Sequence, residues 1–482
     1  DGARGHKNWG KAVFLRTWAF GAGFFLISMH WTAAPFLVEP EKHAIFLWMP
    51  LILLPGGMAI IWGVFGAMAG AFWSSSPSRI FIFALFFALG EYVRGHLFGG
   101  FPWNLPGTTW VPGGALSQTA SIGGVYWLTL LTVFIMSAPA ALVDTRESRQ
   151  LAVRMAPAFG AAILLALGWA WGAQRIAQPS LLSDQSVVLM DSGVPQDEKW
   201  NIGPDPILIE YLRMLATQEG EAGDIILWPE GALPTTLLQD ANALDAVGAY
   251  LGSRKLIAGT TRYEITGKDA RDYYNSLTVM DENAIRSGPM ALYDKHRLVP
   301  FGELPATRII PFGEAMSGIL PGAIQRMASD GFRPGPGPAV IYADDIPPFV
   351  AMICYEGLYP SIPRSANVGA RADWLVLISN DAWFGGGMGP AQHYAQNRYR
   401  AIETGLPMAR VASRGASGMV DGRGREVFRA APVAEAPPGW NTGFGRGKLQ
   451  EPRPHPRLQI RPEILEPFLA SLTALGPRMA CR

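Results

Sequence analysis

The chain has 482 residues, 49% of them hydrophobic and 16% charged, with a formal net charge of +1. So apolar a composition at this length excludes an ordinary soluble protein and asks for membrane-spanning segments. A charge near zero with no basic stretch interleaved with aromatics leaves nothing for nucleic acid, and seven scattered histidines without ligand spacing predict no metal or other cofactor.

Five segments of the first 175 residues are long and nearly free of charge: Thr17 to Val38, Ala44 to Trp73, Arg79 to about Leu97, Thr119 to Val143 and Met155 to Gln174. Each suits a helix crossing a hydrocarbon core of about 30 Å. Within the third, Glu91 and Arg94 lie three residues apart on one helix face. Ionisable groups in a span raise a functional possibility, but "GHLFGGFPWNLPG" comes soon after, so the helix is expected simply to reach the outer interface near Glu91.

Orientation can be read from the loops. Arg4, Lys7, Lys11 and Arg16 precede the first span, Arg79 opens the third, and Arg146, Arg149 and Arg154 separate the fourth from the fifth. These alternate connections share one side, which the positive-inside rule makes cytoplasmic. Five spans then place the rest of the chain outside, at the periplasmic face of a bacterial inner membrane. The first residue is Asp rather than Met, and a missing pair of spans leaves this parity unchanged.

From about Ser183, short apolar runs alternate with Pro- and Gly-bearing connections, the pattern of an α/β domain. The expected division is a transmembrane bundle over 1–182, an α/β domain over 183–435 and a Pro/Arg-rich tail over 436–482. Cys354 and Cys481, the only cysteines, give no disulfide framework.

Three segments of the second part end an apolar run in an ionisable residue and then a turn. "DIILWPEGALP" delivers Glu230, "MALYDKHRLVPFGE" delivers Lys295 and Glu303, and "PFVAMICYEG" delivers Cys354 and Glu356. In α/β sheets, residues at strand ends line the site. Singly, such a cysteine is by default a small buried hydrophobe, and such a Glu or Lys a solvated or paired group. Together they offer a thiol, a cation able to stabilise its thiolate and a carboxylate able to take the proton.

The segments "WPEGALP", "DKHRLVPFGE", "ICYE", "SNDAWFG" and "RAIETGLPMAR", in that order, resemble the nitrilase superfamily. With the N-terminal spans and "GFPW" they resemble its membrane-embedded branch, the apolipoprotein N-acyltransferases, over residues 15 to about 425. The resemblance implies an α/β/β/α sandwich with a catalytic triad on Glu230, Lys295 and Cys354. It implies transfer of an acyl chain from a phospholipid donor, through a thioester on Cys354, to the N-terminal amine of a diacylglyceryl apolipoprotein.

It also implies supporting roles for Glu303, Tyr355 and Glu356. Glu303 orients the lysine or accepts the amine, or else is a loop carboxylate. Trp200 either covers the acyl chain from a loop or anchors at the interface, and Trp383 and Phe384 either meet lipid or plug the core. Asn380 and Asp381 are expected to shape the turn before them. Against the family pattern, one or two initial spans and a final hydrophobic helix are missing. Two other functions fit the same residues: a membrane-tethered amidase or nitrilase cleaving C–N bonds, and a non-catalytic lipoprotein-binding scaffold.

Overall fold

The computed structural model describes residues 9–38, 40–73, 76–143, 151–180, 182–217, 224–267, 270–300, 302–304, 331–430 and 443–450. Cys481 and the rest of the expected tail after 450 lie outside them.

Apolar periodicity without charge gives the first half its long helices. Four stretches, Trp9–Leu37, Ala44–Ala71, Leu116–Ala141 and Leu151–Ala177, are long and apolar enough to cross a membrane. Phe20, Ile27, Ile52, Phe159 and Leu167 are exposed on them, as lipid-facing side chains must be. Trp9–Met29 packs on Leu54–Ala71 through small residues: a Cβ added at Gly66 would stand 2.5 Å from Thr17 Oγ1, and one at Gly63 2.7 Å from the Phe14 ring. Small residues at such contacts let helix backbones approach closely.

The helix of the expected third span ends sooner than its hydropathy suggests. It is a helix of 16 residues, Arg79–Arg94, which rises about 24 Å, and so falls short of the length of the other four. It stops because Gly95 caps it and the chain then turns through Phe98, Gly99 and Gly100, all at positive φ. Nor do Glu91 and Arg94 reach an interface. Both are buried inside protein. Arg94 Nε and Nη2 each donate to Glu91 at 2.7 Å, Trp62 Nε1 donates to Glu91 at 2.7 Å, and Arg94 Nη1 donates to the Phe101 carbonyl at 2.6 Å. The pair therefore pins the turn that the sequence placed along the outer surface.

Glu91→Ala leaves Arg94 buried without a counter-charge, and is expected to destabilise the protein by about 3–5 kcal/mol. Thermal unfolding in detergent checks this, and the double variant E91A/R94M should regain most of the loss because neither charge is then left behind.

Among the described residues the second half contains twelve strands: β1 (Leu182–Asp191), β2 (Ile225–Leu227), β3 (Lys255–Ile265), β4 (Arg271–Met280), β5 (Ala291–Asp294), β6 (Val340–Ala343), β7 (Ile346–Ile353), β8 (Trp374–Asn380), β9 (Met408–Ser413), β10 (Gly418–Val420), β11 (Glu426–Arg429) and β12 (Gly443–Gln450). They form two six-stranded sheets, β12-β1-β2-β3-β4-β5 and β11-β10-β9-β8-β7-β6. β1, β2 and β3 are parallel, as are β7, β8 and β9, so each sheet gathers strand C-termini along one edge. β12 pairs antiparallel with β1, carrying the first sheet past the boundary expected at 435.

Alternation along each strand assigns its two faces. Val187, Leu189, Ile225, Leu227 and Ile257 meet Phe349, Ala351, Ile353, Val376 and Ile378 between the sheets. The in-between residues of the first sheet, Val188, Ile226, Trp228 and Leu256, pack on Tyr211, Met214, Val247 and Leu251 of helices Pro204–Thr217 and Ala241–Leu251. Those of the second, Val350, Met352, Leu375 and Leu377, meet Ile362 and Ala401 of helices Ser361–Ala366 and Met388–Thr404. The order is helix, sheet, sheet, helix. The same outer cluster continues into Met29, Trp31, Trp62 and Trp103, so the two-sheet half is seated on the bundle through one apolar core.

Candidate active site

Each side chain of the expected triad stands just past a strand. Glu230 comes after β2, while Lys295 and Cys354 come directly after β5 and β7. Lys295 is buried, with Nζ 3.0 Å from Glu230 Oε1 and 2.8 Å from Glu303 Oε2. Glu303 therefore pairs with the lysine. Asn275 on β4, which carries no sequence signal, donates Nδ2 to both carboxylates at 2.7 Å, and its carbonyl accepts from the Lys295 N–H at 2.8 Å. The backbone N–H of Asn380 completes Glu230 at 2.8 Å.

This arrangement decides the resting charges. Burial favours a neutral Glu230, but the Lys295 charge and the hydrogen bonds from Asn275, Lys295 and Asn380 outweigh it and hold the carboxyl below its ordinary range. Burial likewise opposes the Lys295 charge, yet Glu230, Glu303 and Cys354 around it raise the ammonium above its usual range. Burial, then the nearby Glu230 charge, push the Cys354 thiol well up, with Lys295 and a hydrogen bond from Ser379 opposing. The resting site is a neutral thiol beside the ionised Glu230–Lys295 pair. Alkylation of Cys354 by iodoacetamide in the free protein is therefore expected to accelerate with pH up to about 10 without a plateau; a plateau near neutrality would mean a preformed thiolate.

Cys354 has φ +51°, a conformation that costs a non-glycine residue about 1–3 kcal/mol and must be held by its surroundings. Two buried groups hold it. The sequence suggests Glu356 as a carboxylate of the site, but its oxygens are filled by Tyr293 Oη at 2.8 Å and by the N–H groups of His296 at 2.9 Å, Arg297 at 3.0 Å and Ile353 at 2.8 Å. It thus fastens the Lys295 loop to the residue before Cys354. On the other side, His393 Nε2 lies 3.2 Å from the Cys354 carbonyl, which can only accept.

His393 belongs to a cluster the sequence does not reveal. Its Nδ1 is 2.9 Å from Asp381 Oδ1, and Asp381 also accepts from Ser379 Oγ at 2.7 Å and Arg410 Nη2 at 2.7 Å. The sequence expects Asp381 only to shape a turn. Asn380 does that, accepting from the Ala382 N–H at 3.3 Å; Asp381 instead holds His393 against the Cys354 carbonyl. Its residue type at a strand end is a signal, but its partners come from positions 393 and 410 and no local pattern names them. Lys199 is a further buried group near Glu230, with burial lowering it to about 8 against the pull of Asp191 and Glu230. It donates to the Gly231 carbonyl.

The Tyr355 hydroxyl donates to the Gly100 carbonyl at 2.6 Å, as does that of Tyr359 at 2.8 Å. Hence the turn pinned by Arg94 lies directly against the residue after Cys354. As second residue of the short 3-10 helix Cys354–Leu358, Tyr355 has an N–H without an intrahelical acceptor. Trp200 lies on the Gln196–Ile202 helix, and its side chain is outside the described residues. Trp383 is exposed, whereas Phe384 packs between Trp31, Trp103 and His393 at ring distances of 4.9, 5.5 and 5.4 Å.

Residues 3–138 match the family model described as apolipoprotein N-acyltransferase N-terminal domain, and residues 205–436 match that of carbon-nitrogen hydrolase. A relative named apolipoprotein N-acyltransferase from Caulobacter vibrioides is 36% identical over 435 residues, which cover 86% of this chain and 77% of the relative. The chain belongs to the apolipoprotein N-acyltransferase family. Another member, from Rhodopseudomonas palustris, is 32% identical over 442 residues, covering 89% of this chain and 80% of its own. Among solved structures, a mutant of the Nesterenkonia AN1 amidase of the nitrilase superfamily aligns with 61% of this chain and 97% of its own at 16% identity and a TM-score of 0.37. Within the apolipoprotein N-acyltransferase family, then, this chain is a membrane protein whose sandwich of sheets stands on an apolar helical bundle.

Proposed function

We propose that the chain acylates the N-terminal amine of diacylglyceryl apolipoproteins, taking the acyl group from a phospholipid through Cys354. The observation that carries this is the buried thiol at a strained strand end, beside a lysine held between two carboxylates, on a sandwich joined to a membrane bundle.

In the first half-reaction Cys354 Sγ attacks the ester carbonyl as Glu230 takes the thiol proton. With the thiol pKa raised and that of Glu230 lowered, this transfer is uphill in the free protein and has to accompany C–S bond formation. Negative charge develops on the carbonyl oxygen, facing the Lys295 ammonium and the Tyr355 N–H. The C–O bond then breaks, Glu230 returns the proton to the glycerol oxygen, and a lysophospholipid leaves. In the second half the neutral amine attacks the thioester and Glu230 accepts its proton. The C–N bond forms, the C–S bond breaks, and the proton returns to sulfur. Burial of Cys354 keeps water from the thioester between the two halves.

The donor meets the thiol at the membrane surface. We place the sandwich on the periplasmic side of the inner membrane, because the basic segments before Trp9, at Arg79 and over 146–154 share one side if Arg79–Arg94 crosses the membrane with the four longer helices. Incubation of the purified protein with phospholipid should add one acyl mass to the Cys354 peptide, and a diacylglyceryl peptide should then remove it and gain it as an amide. Absence of the adduct, or its release only to water, sinks this function in favour of hydrolysis.

A further inference from the structure

Two residues beyond Lys295 the same segment carries a cation that the triad leaves unused. The Arg297 backbone N–H is committed to Glu356 at 3.0 Å, but its guanidinium lies 4.8 Å from the Tyr359 ring centre and makes one long contact, Nη1 to the Gly99 carbonyl at 3.4 Å. Its Nε is buried without a hydrogen-bond partner, and no carboxylate among the described residues pairs with it. A buried donor left unmade in the loop that carries Lys295 calls for an acceptor beyond those the protein supplies there.

The surroundings say what kind. Gly99 comes close to Pro300, so the bundle turn and the Lys295 loop meet here. On that turn Leu97 and Phe98 are 46% and 60% exposed. A guanidinium with open donors beside exposed apolar side chains suits a molecule with an anion at one end and hydrocarbon at the other. A free anion would not need the apolar rim.

We propose that Arg297 binds the phosphodiester of the phospholipid acyl donor; the assignment rests on phospholipid being that donor. A glycerol backbone separates the ester carbonyl from the phosphate, and Arg297 stands two residues from Lys295, so one lipid can meet both. The guanidinium fork takes two phosphate oxygens while Tyr359 supports its flat face. The amine acceptor, which has no phosphate, does not use this cation.

The test compares acyl-thioester formation on Cys354 from phosphatidylethanolamine and from p-nitrophenyl palmitate, a donor without phosphate, in R297Q and R297K. The ratio of the phospholipid rate to the p-nitrophenyl rate is expected to fall about 10- to 100-fold in R297Q, the size of one lost charge-assisted contact, and by less in R297K. A ratio in R297Q within twofold of the starting protein, including an equal loss on both donors from a merely structural role, overturns the proposal. If the unsubstituted protein takes an acyl group from p-nitrophenyl palmitate but none from phosphatidylethanolamine, the donor assignment itself falls.

Discussion

Cys354→Ala is expected to abolish transfer, lowering acylation of a diacylglyceryl peptide by about 10,000-fold or more. No other cysteine lies among the described residues. The variant also removes the covalent intermediate, so the acyl mass should vanish from the Cys354 peptide. Stability should barely change. The thiol itself makes no ion pair, and the backbone at position 354 is still held by Glu356 through Ile353 and by His393 through its carbonyl. A folded C354A protein that still transfers acyl groups would eliminate Cys354 as the nucleophile.

Lys295→Met should have the second largest effect, on both stability and rate. Without the ammonium, Glu230 and Glu303 face each other across Asn275 in a buried site, and one of them must take up a proton. Stripping one partner from such a buried set costs about 3–5 kcal/mol. In the proposed mechanism Lys295 is the cation facing the tetrahedral oxyanion, and its loss is expected to lower the rate by about 100- to 1,000-fold. The double variant K295M/E303Q should recover most of the stability and none of the rate, a split seen by measuring Tm and acyl transfer side by side.

The pH dependence has a definite sign. Glu230 is lowered from an ordinary value of 4.5, so its contribution is present above that pH and is lost as acid passes through the folded value. Lys295 is raised from 10.5, so its contribution is present below that pH and is lost as alkali passes through the folded value. Tm of the starting protein should therefore be flat between about 4.5 and 10.5 as far as this pair is concerned, and K295M should lose that plateau.

Much of the protein is legible in the chain because its signals are local. Long uncharged runs specify apolar helices whatever their neighbours do, and a strand that ends in Glu230, Lys295 or Cys354 carries its functional side chain to a sheet edge by backbone geometry alone. The end of the third apolar segment is less legible, because hydropathy continues to Leu97 while the helix stops at Arg94, where Gly95 and the positive φ at Phe98 turn the chain. The partners of Glu356 are illegible for a related reason: adjacency to Cys354 does not say which way a carboxylate faces, and its four donors come from strands β5 and β7 and from the loop after Lys295.

By itself, then, the sequence determined the two-part plan, the strand-end delivery of a thiol, a cation and a carboxylate, and the family they resemble. Only the tertiary structure decided the charge state and the supports. Asn275 bridges Glu230 to Glu303, His393 and Asp381 brace the Cys354 backbone, and the Glu91–Arg94 pair holds the Gly99–Phe101 turn against Tyr355. The reason is the range of the forces involved. Propensity and hydropathy act along a few residues of chain, whereas burial and hydrogen bonding act between side chains that meet only when two sheets and a bundle have closed around them.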